Sequence, residues 1–229
     1  MIMKTTIRIA LAGTGLAVLL SACETTRQIR STKVSGFLGD YSQLEEGGGE
    51  TALLRYINPN TDFKKYTKVW IDPIQVYAGP KSKLGKLPQE DLQSLVNYLD
   101  AALREELKGD YRLVKTSGAD VMRLHVAITE AKGSKVVLDT ISSVMPPGVA
   151  ISALMQVGTG TPSAVGSARV EAELLDSVSG ERLMAGVDER AGRKYTGKLD
   201  KWKTWQDAQD AYDHWARQLK MRLAELRAR

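Results

Sequence analysis

The single cysteine of this chain, Cys23, follows a short apolar run that itself comes after a basic amino terminus. The run covers residues 9–20, and Lys4 and Arg8 precede it, which is the order of charged and apolar regions in a cleaved export signal. Twelve residues in a helix span about 18 Å, well short of the roughly 30 Å hydrocarbon core of a bilayer. The run is therefore predicted to be removed, so the fold must be built from the residues that follow it.

The run ends in Leu20-Ser21-Ala22-Cys23, the small-small-cysteine ending of a bacterial lipoprotein signal. This motif predicts cleavage between Ala22 and Cys23 once the thiol carries a diacylglyceryl group, followed by N-acylation of the new amine, for example with palmitate. Two or three acyl chains anchor a protein stably, because each buried methylene contributes about 0.8 kcal/mol. The alternatives, an ordinary cleavage site or a buried core thiol, fit the flanking residues less well. With lipid on the only thiol, disulfide and cysteine-nucleophile chemistry are excluded.

Location and domain organisation follow from this anchor. Glu24 is not the aspartate that favours inner-membrane retention in enteric bacteria, so the periplasmic leaflet of the outer membrane is the predicted location. Residues 1–22 are predicted to form the signal peptide, 23–34 a lipidated polar tether and 35–229 a single periplasmic domain. The least polar later stretch, 144–158, contains proline and glycine and is too short for a transmembrane helix.

Composition limits the possible partners. The formal net charge is +5, and removal of residues 1–22 takes away two basic residues and no acidic one. The mature chain is therefore nearly balanced, and no nucleic-acid partner is expected, because such proteins carry a clustered basic surface. Hydrophobic residues make up 43% of the sequence, enough for one buried core in a chain of this length.

Two segments have the apolar spacing of helices. The first is predicted over 88–108, with Pro88 in its first turn and Gly109 as its stop. The second lies at the carboxyl terminus, where Thr204 is the predicted cap with Asp207 three residues on. Its stripe consists of Trp205, Ala208, Tyr212, Trp215, Leu219, Leu223 and Leu226. We interpret this stripe as the face that docks on a sheet, and a partner-binding or membrane-surface helix is the alternative.

The remaining apolar segments have the composition or alternation of strands. They cover residues 68–77, 122–129, 136–141, 168–175 and 183–187. Pro73 predicts an edge position or a bulge in the first of them, and Asp176 to Gly180 predicts the turn between the last two. The element order predicts an α+β fold, a largely antiparallel sheet with two main helices packed on one face.

Two stretches resemble a known family: SGFLGDYSQL at residues 35–44 and LRYINPNTDFKKYTKVWIDPIQVY at residues 54–77. They look like the start of an uncharacterised Gram-negative lipoprotein family catalogued as a domain of unknown function. The resemblance implies an exported lipoprotein and supplies no activity or catalytic residues.

A second, weaker similarity concerns LLDSVSGERL at residues 174–183. It resembles a hairpin of periplasmic modules in outer-membrane lipoproteins, including curli-secretion pore subunits. On that analogy residues 144–158 form an oligomerisation or membrane-contacting element. The alternative function is then a ring-forming accessory subunit of an envelope secretion or transport assembly.

Candidate catalytic residues are few and scattered. His125 lies in a predicted strand and His214 in the last helix, without the spacing of a metal site. The serines lack a nucleophile elbow, and Gly158-Thr159-Gly160 lacks the rest of a phosphate-binding loop. Three carboxylates could approach one another only in the folded chain: Asp40, Asp62 and Asp72.

No catalytic residue, metal or cofactor is therefore predicted beyond the covalent lipid on Cys23. The leading hypothesis is a non-enzymatic lipoprotein that binds or scaffolds an envelope partner, with self-association as the other possibility.

Overall fold

The computed structural model describes residues 26–29, 33–49, 51–79, 82–133, 166–192 and 205–229. In chain order its elements are β1 (Thr26–Gln28), β2 (Glu45–Glu46), β3 (Leu54–Ile57), β4 (Lys68–Ile71), β5 (Gln75–Val76), α1 (Gln89–Leu107), β6 (Arg112–Leu113), β7 (Val121–Lys132), β8 (Ser167–Asp176), β9 (Arg182–Gly192) and α2 (Gln206–Ala228). Cys23, the strand predicted over 136–141 and the stretch 144–158 lie outside the described residues.

The strands form one open sheet in the order β2-β3-β9-β8-β7-β4-β6. β1 and β3 lie one after the other along the same edge of β9, and β5 continues the line of β4 beside β7. The pairs of β4 with β6 and β7, and of β5 with β7, are parallel, whereas the pairs among the long central strands are antiparallel. The predicted α+β class is confirmed.

Alternation in β7 explains why the sheet has a distinct helix face, which we define by the side chains of Met122, Leu124, Val126 and Ile128. These residues are buried in the main core together with the apolar stripe of α1. Successive strand residues point to opposite sides of a sheet, so the residues between them point to the other side.

Pro73 interrupts the strand predicted over 68–77. β4 ends at Ile71 and β5 begins at Gln75, because proline has no N–H to donate to a ladder. The predicted irregularity is therefore present. The predicted edge position is present as well: among the described strands β6 pairs only with Lys68 and Val69, and β5 pairs only with β7, so the chain around Pro73 has a strand neighbour on one side.

The β8–β9 hairpin turns where the sequence predicts it. Asp176 Oδ1 accepts hydrogen bonds from the N–H groups of Val178 and Ser179, and Gly180 has a φ of 73°, a left-handed conformation that favours glycine. Burial alone would raise the pKa of Asp176, but these bonds and one from Tyr66 outweigh it and hold the pKa below its usual range.

Strand β9, which pairs with β8, has buried apolar side chains on both sides of the sheet. Leu183 is buried in the main core, but Ala185 and Val187 are buried in a second cluster beneath Leu38. The ladder between β8 and β9 shifts register between Leu174 and Leu175, and such irregularities re-aim side chains.

The second cluster defines the loop face, the side of the sheet covered by residues 33–44. Phe37, Tyr41 and Leu44 pack there around Leu38. An aromatic contact between Phe37 and Tyr77, 5.8 Å between ring centroids, fastens this segment at its side.

Both helices pack on the helix face and against each other. The Tyr98 hydroxyl of α1 donates to Asp213 of α2 at 3.0 Å, and burial followed by this bond raises the pKa of Tyr98 to about 12. The stripe of α2 is buried or packed against the main core, so its docking on the sheet is confirmed. No helix in the described ranges is long and apolar enough to cross a membrane.

The start of α2 differs from the prediction. Its N-cap residue is Trp205 and makes no side-chain cap, and Thr204, the predicted cap, lies outside the described residues. Asp207 accepts a hydrogen bond from the Gly166 N–H at 2.7 Å instead. This contact ties the start of α2 to the start of β8.

Candidate functional site

A cavity of about 470 Å³ lies between α2 and the helix face, beside β3 and β9. On α2 its lining positions run from His214 to Glu225, and Leu99 and Leu103 of α1 close its inner end. Most of the remaining lining is aliphatic. Its volume falls in the range of about 300–1,000 Å³ that small-molecule sites occupy.

Small residues in the sheet explain why space remains there. Ala172 of β8 and Gly186 of β9 lie directly opposite each other in the ladder, and Gly186 is also paired with Arg55 of β3. All three line the cavity, and Ala52 adds another short side chain. Because Ala52, Ala172 and Gly186 carry almost no side chain, space remains between the sheet and α2 beside Trp215 and Leu219.

One buried carboxylate lies at this cavity. Asp188 accepts hydrogen bonds from Trp215 Nε1 and from Gln28 Nε2, each at 2.7 Å. Burial raises its pKa, against the opposing effect of these two donors. Gln28 also donates to the Thr51 carbonyl, so β1 helps to close this end of the site.

Two arginines line the cavity in different states. Arg222 is bonded to Glu225 one turn along α2, at 2.8 Å. Arg55 is half-buried and has no hydrogen bond or ion pair with any residue that the structure describes. The exposed Glu45 is its cross-strand partner in the register but forms no ion pair with it.

A second polar cluster lies on the loop face around His125. Its Nε2 lies 2.6 Å from Asp72 Oδ2, without regular hydrogen-bond geometry, and its Nδ1 lies 3.4 Å from Glu173. Arg123 Nε lies 3.1 Å from both Asp72 oxygens, and Arg182 binds Glu173 at 2.8 Å. The arrangement is a network of ionisable groups, and in the described ranges no serine hydroxyl bonds to His125.

Arg182 joins this network to the segment that covers it. Its guanidinium donates to the carbonyls of Leu38 and Asp40 at 3.0 Å and 2.8 Å. Nearby, the buried Glu171 accepts hydrogen bonds from the Ser35 N–H and from the Tyr41 hydroxyl. The charged groups of the loop face therefore hold residues 33–44 in place.

The three carboxylates considered in the sequence do not meet. Asp40 accepts from the Ser42 N–H and Asp62 from the Lys64 N–H, each within its own turn, while Asp72 binds Arg123. Among the described residues no three potential ligands form a metal-sized cluster.

Sequence reasoning did not identify Arg55 or Asp188 as site residues. Trp215 was recognised only as part of a core stripe, although its indole N–H required a partner once buried. That requirement was the available signal for a buried acceptor such as Asp188.

The mixed sheet under two helices defines an α+β domain. The chain belongs to the family described as Protein of unknown function (DUF3313), whose model matches residues 33–219. The predicted resemblance is therefore confirmed.

Similar proteins include an uncharacterized lipoprotein and solved structures of low sequence identity. The chain is 29% identical over 176 residues to the uncharacterized lipoprotein YdcL of Escherichia coli K12, covering 76% of this chain and 78% of that one. A PelC dodecamer from Paraburkholderia phytofirmans has a TM-score of 0.36 at 13% identity, covering 72% of this chain and 92% of that one. A minor lipoprotein from Acinetobacter baumannii has a TM-score of 0.37 at 11% identity, covering 71% and 95%.

Proposed function

We propose that this protein is a non-enzymatic binding protein, held by lipid on Cys23 at the periplasmic leaflet of the outer membrane. The observation that carries the proposal is the apolar cavity between α2 and the sheet. A concave, mainly apolar site with a few placed polar groups is the usual form of a small-molecule binding site.

The polar groups of the chain support binding rather than chemistry. Asp188 is engaged by two donors, and Asp72 and Glu173 are engaged by arginines and by His125. Groups held in this way orient and stabilise, whereas a catalytic acid or base needs access to a substrate.

Native mass spectrometry of the full-length acylated protein, released from membranes in a mild amphiphile, tests the binding function. We expect a species heavier than the acylated chain by the mass of a bound small molecule. Ala172→Phe should remove that species, because the ring would occupy the cavity. Ala224→Phe, the same change at an exposed position of α2, is the matched control. Identical adduct spectra for the wild type and Ala172→Phe would rule out a ligand in this cavity.

Fractionation tests the anchor independently. Cys23→Ala should release the protein from the membrane fraction and remove the mass of the lipid. Density-gradient separation of the envelope should place the wild-type protein with outer-membrane markers. Persistent membrane attachment of Cys23→Ala would disprove lipid anchoring without bearing on the cavity.

The ring-forming alternative stays a prediction, because residues 144–158 lie outside the described residues.

A further inference from the structure

The shape of the cavity suits one acyl chain. Its lining on α2 extends from His214 to Glu225, about 16 Å of helix at 1.5 Å per residue. At about 30 Å³ for a group the size of water, its volume of about 470 Å³ holds about fifteen such groups. This is room for one long hydrocarbon chain.

One charge at the cavity, that of Arg55, is complementary to an anionic headgroup. Arg222 is neutralised by Glu225, and the carboxyl of Asp188 is occupied by Trp215 and Gln28. Arg55 is the lining cation that has no partner among the described residues. A guanidinium binds a carboxylate through two parallel hydrogen bonds, so a half-buried arginine beside an apolar space is complementary to a carboxylate with an apolar tail.

We propose that the cavity binds a long-chain fatty acid, with its hydrocarbon chain against α2 and its carboxylate paired with Arg55. This inference rests on the proposed binding function and names the ligand class for the same cavity. The apolar lining stabilises the chain by removing it from water. Arg55 distinguishes the acid from neutral lipids of the same length, which offer the guanidinium no carboxylate to bind.

The test uses photoreactive palmitate with a diazirine in its chain, added to envelope vesicles that contain the full-length acylated protein. A matched probe is its methyl ester, which has the same chain and no charge. Adducts are located and quantified by peptide mass spectrometry. We expect the acid to label cavity-lining peptides of α2, β8 and β9 about tenfold more than the ester, because hydrogen bonds to charged groups contribute about 1.5–3 kcal/mol.

Two arginine variants isolate the headgroup contact. Arg55→Ala should lower labelling by the acid to that of the ester, and leave the ester unchanged. Arg112→Ala removes the same charge from an exposed position on β6, at the opposite edge of the sheet, and should leave both probes unchanged. Ala172→Phe should abolish labelling of these peptides by both probes.

Three outcomes would overturn the fatty-acid assignment. Equal labelling by acid and ester in the wild type would remove the role of Arg55. Stronger competition by a lysophospholipid than by palmitate would assign the cavity to a phosphate headgroup. Labelling that appears only in Cys23→Ala would assign it to the acyl chains of the protein itself. If Ala172→Phe loses the native mass-spectrometric adduct while palmitate fails to label, the fatty-acid inference fails and the binding function stands.

Discussion

The helix face and the loop face of the same sheet are buried by different means. On the helix face two amphipathic helices cover aliphatic side chains and leave a cavity of about 470 Å³ beside β3 and β9. On the loop face residues 33–44 cover a smaller apolar cluster and a row of charged groups around His125 and Glu173.

The two faces therefore differ in what their charged groups can do: those of the loop face stabilise the fold, and one at the cavity can bind a ligand. The charges of the loop face bind one another or the backbone of the covering segment, so removing one leaves a buried partner unsatisfied. The helix face instead has unfilled apolar volume and a cation, Arg55, without a partner in the described ranges. We therefore expect substitutions to damage stability on the loop face and ligand binding at the cavity.

The largest effect is expected for Arg182→Ala. The change leaves Glu173 with only His125 and removes the donors to the Leu38 and Asp40 carbonyls. Breaking a buried ion pair from one side costs about 3–5 kcal/mol, and we expect about 3 kcal/mol in the free energy of unfolding by urea. Arg112→Ala, at an exposed position, should change it by less than about 0.5 kcal/mol. Equal losses would mean that the network adds nothing to stability.

A smaller loss is expected for Tyr41→Phe. The hydroxyl donates to the buried Glu171 and accepts from the Gly36 and Leu38 N–H groups. Leaving these groups unsatisfied should cost about 2 kcal/mol and speed amide exchange in residues 33–44. Tyr77→Phe is the control, because the Tyr77 hydroxyl has no hydrogen bond among the described residues. Unchanged exchange in Tyr41→Phe would show that this hydroxyl does not hold the segment.

The pH dependence of stability should differ in sign between the faces. Burial alone would raise the pKa of Glu173, but the bonds from His125 and Arg182 outweigh it and lower the pKa below its ordinary 4.5. A depressed carboxyl pKa contributes stability that is present above the ordinary value and lost as pH falls below it. Glu173→Gln should therefore flatten the acid limb of unfolding free energy against pH below about 4.5.

The contribution of Asp188, on the helix face, to stability should change with pH in the opposite direction. Burial raises its pKa above the ordinary 3.8, so its contribution is fully present below that value and is lost as pH rises through the folded pKa. Asp188→Asn should remove this loss from the same stability curves. Parallel curves for Asp188→Asn and the wild type would show that the carboxyl does not titrate in this way.

The smallest effect is expected at Gly186. A Cβ there would lie 3.4 Å from the Cβ of Ala52, an ordinary contact, and alanine restricts the unfolded chain more than glycine does. Gly186→Ala should raise the unfolding free energy by about 0.5 kcal/mol. Gly192→Ala is the contrasting variant, because its Cβ would lie 2.1 Å from Asp207 Oδ1. We expect a loss of stability there, since the carboxylate that binds the Gly166 N–H would have to move. A loss at Gly186 as large as that at Gly192 would show that the helix face has no spare room.

Much of the fold was predictable because its long elements have clear periods. The alternation in β7 and the stripe of α2 each extend over many residues, so the buried face was evident for both. The division of β9 between the two faces was not, since it depends on a register shift between Leu174 and Leu175. The spacing of apolar residues in the sequence does not predict such a single-residue shift in register.

The candidate site was less accessible to sequence reasoning. Asp72 and Glu173 meet at His125 although they lie 101 positions apart in the chain, and nothing local marks either as its partner. The cavity exists because Ala172 and Gly186 lack large side chains. Small residues occur throughout the chain, so their positions in the sequence do not indicate a cavity. Among the site residues only Trp215 gave a signal in the sequence, because its indole N–H needs a hydrogen-bond acceptor once it is buried.

The pairing of β1 with β9 has a consequence for orientation at the membrane. Part of the predicted tether, Thr26–Gln28, is a strand of the sheet, with Thr26 opposite Gly192. At 3.8 Å per residue the Cα atom of Cys23 lies within about 11 Å of that of Thr26. If Cys23 is acylated as the sequence predicts, this short connection would turn one end of the sheet toward the bilayer. Lys132 and Ser167 are paired in the ladder at that same end, so the end of β7 and the start of β8 would then face the membrane.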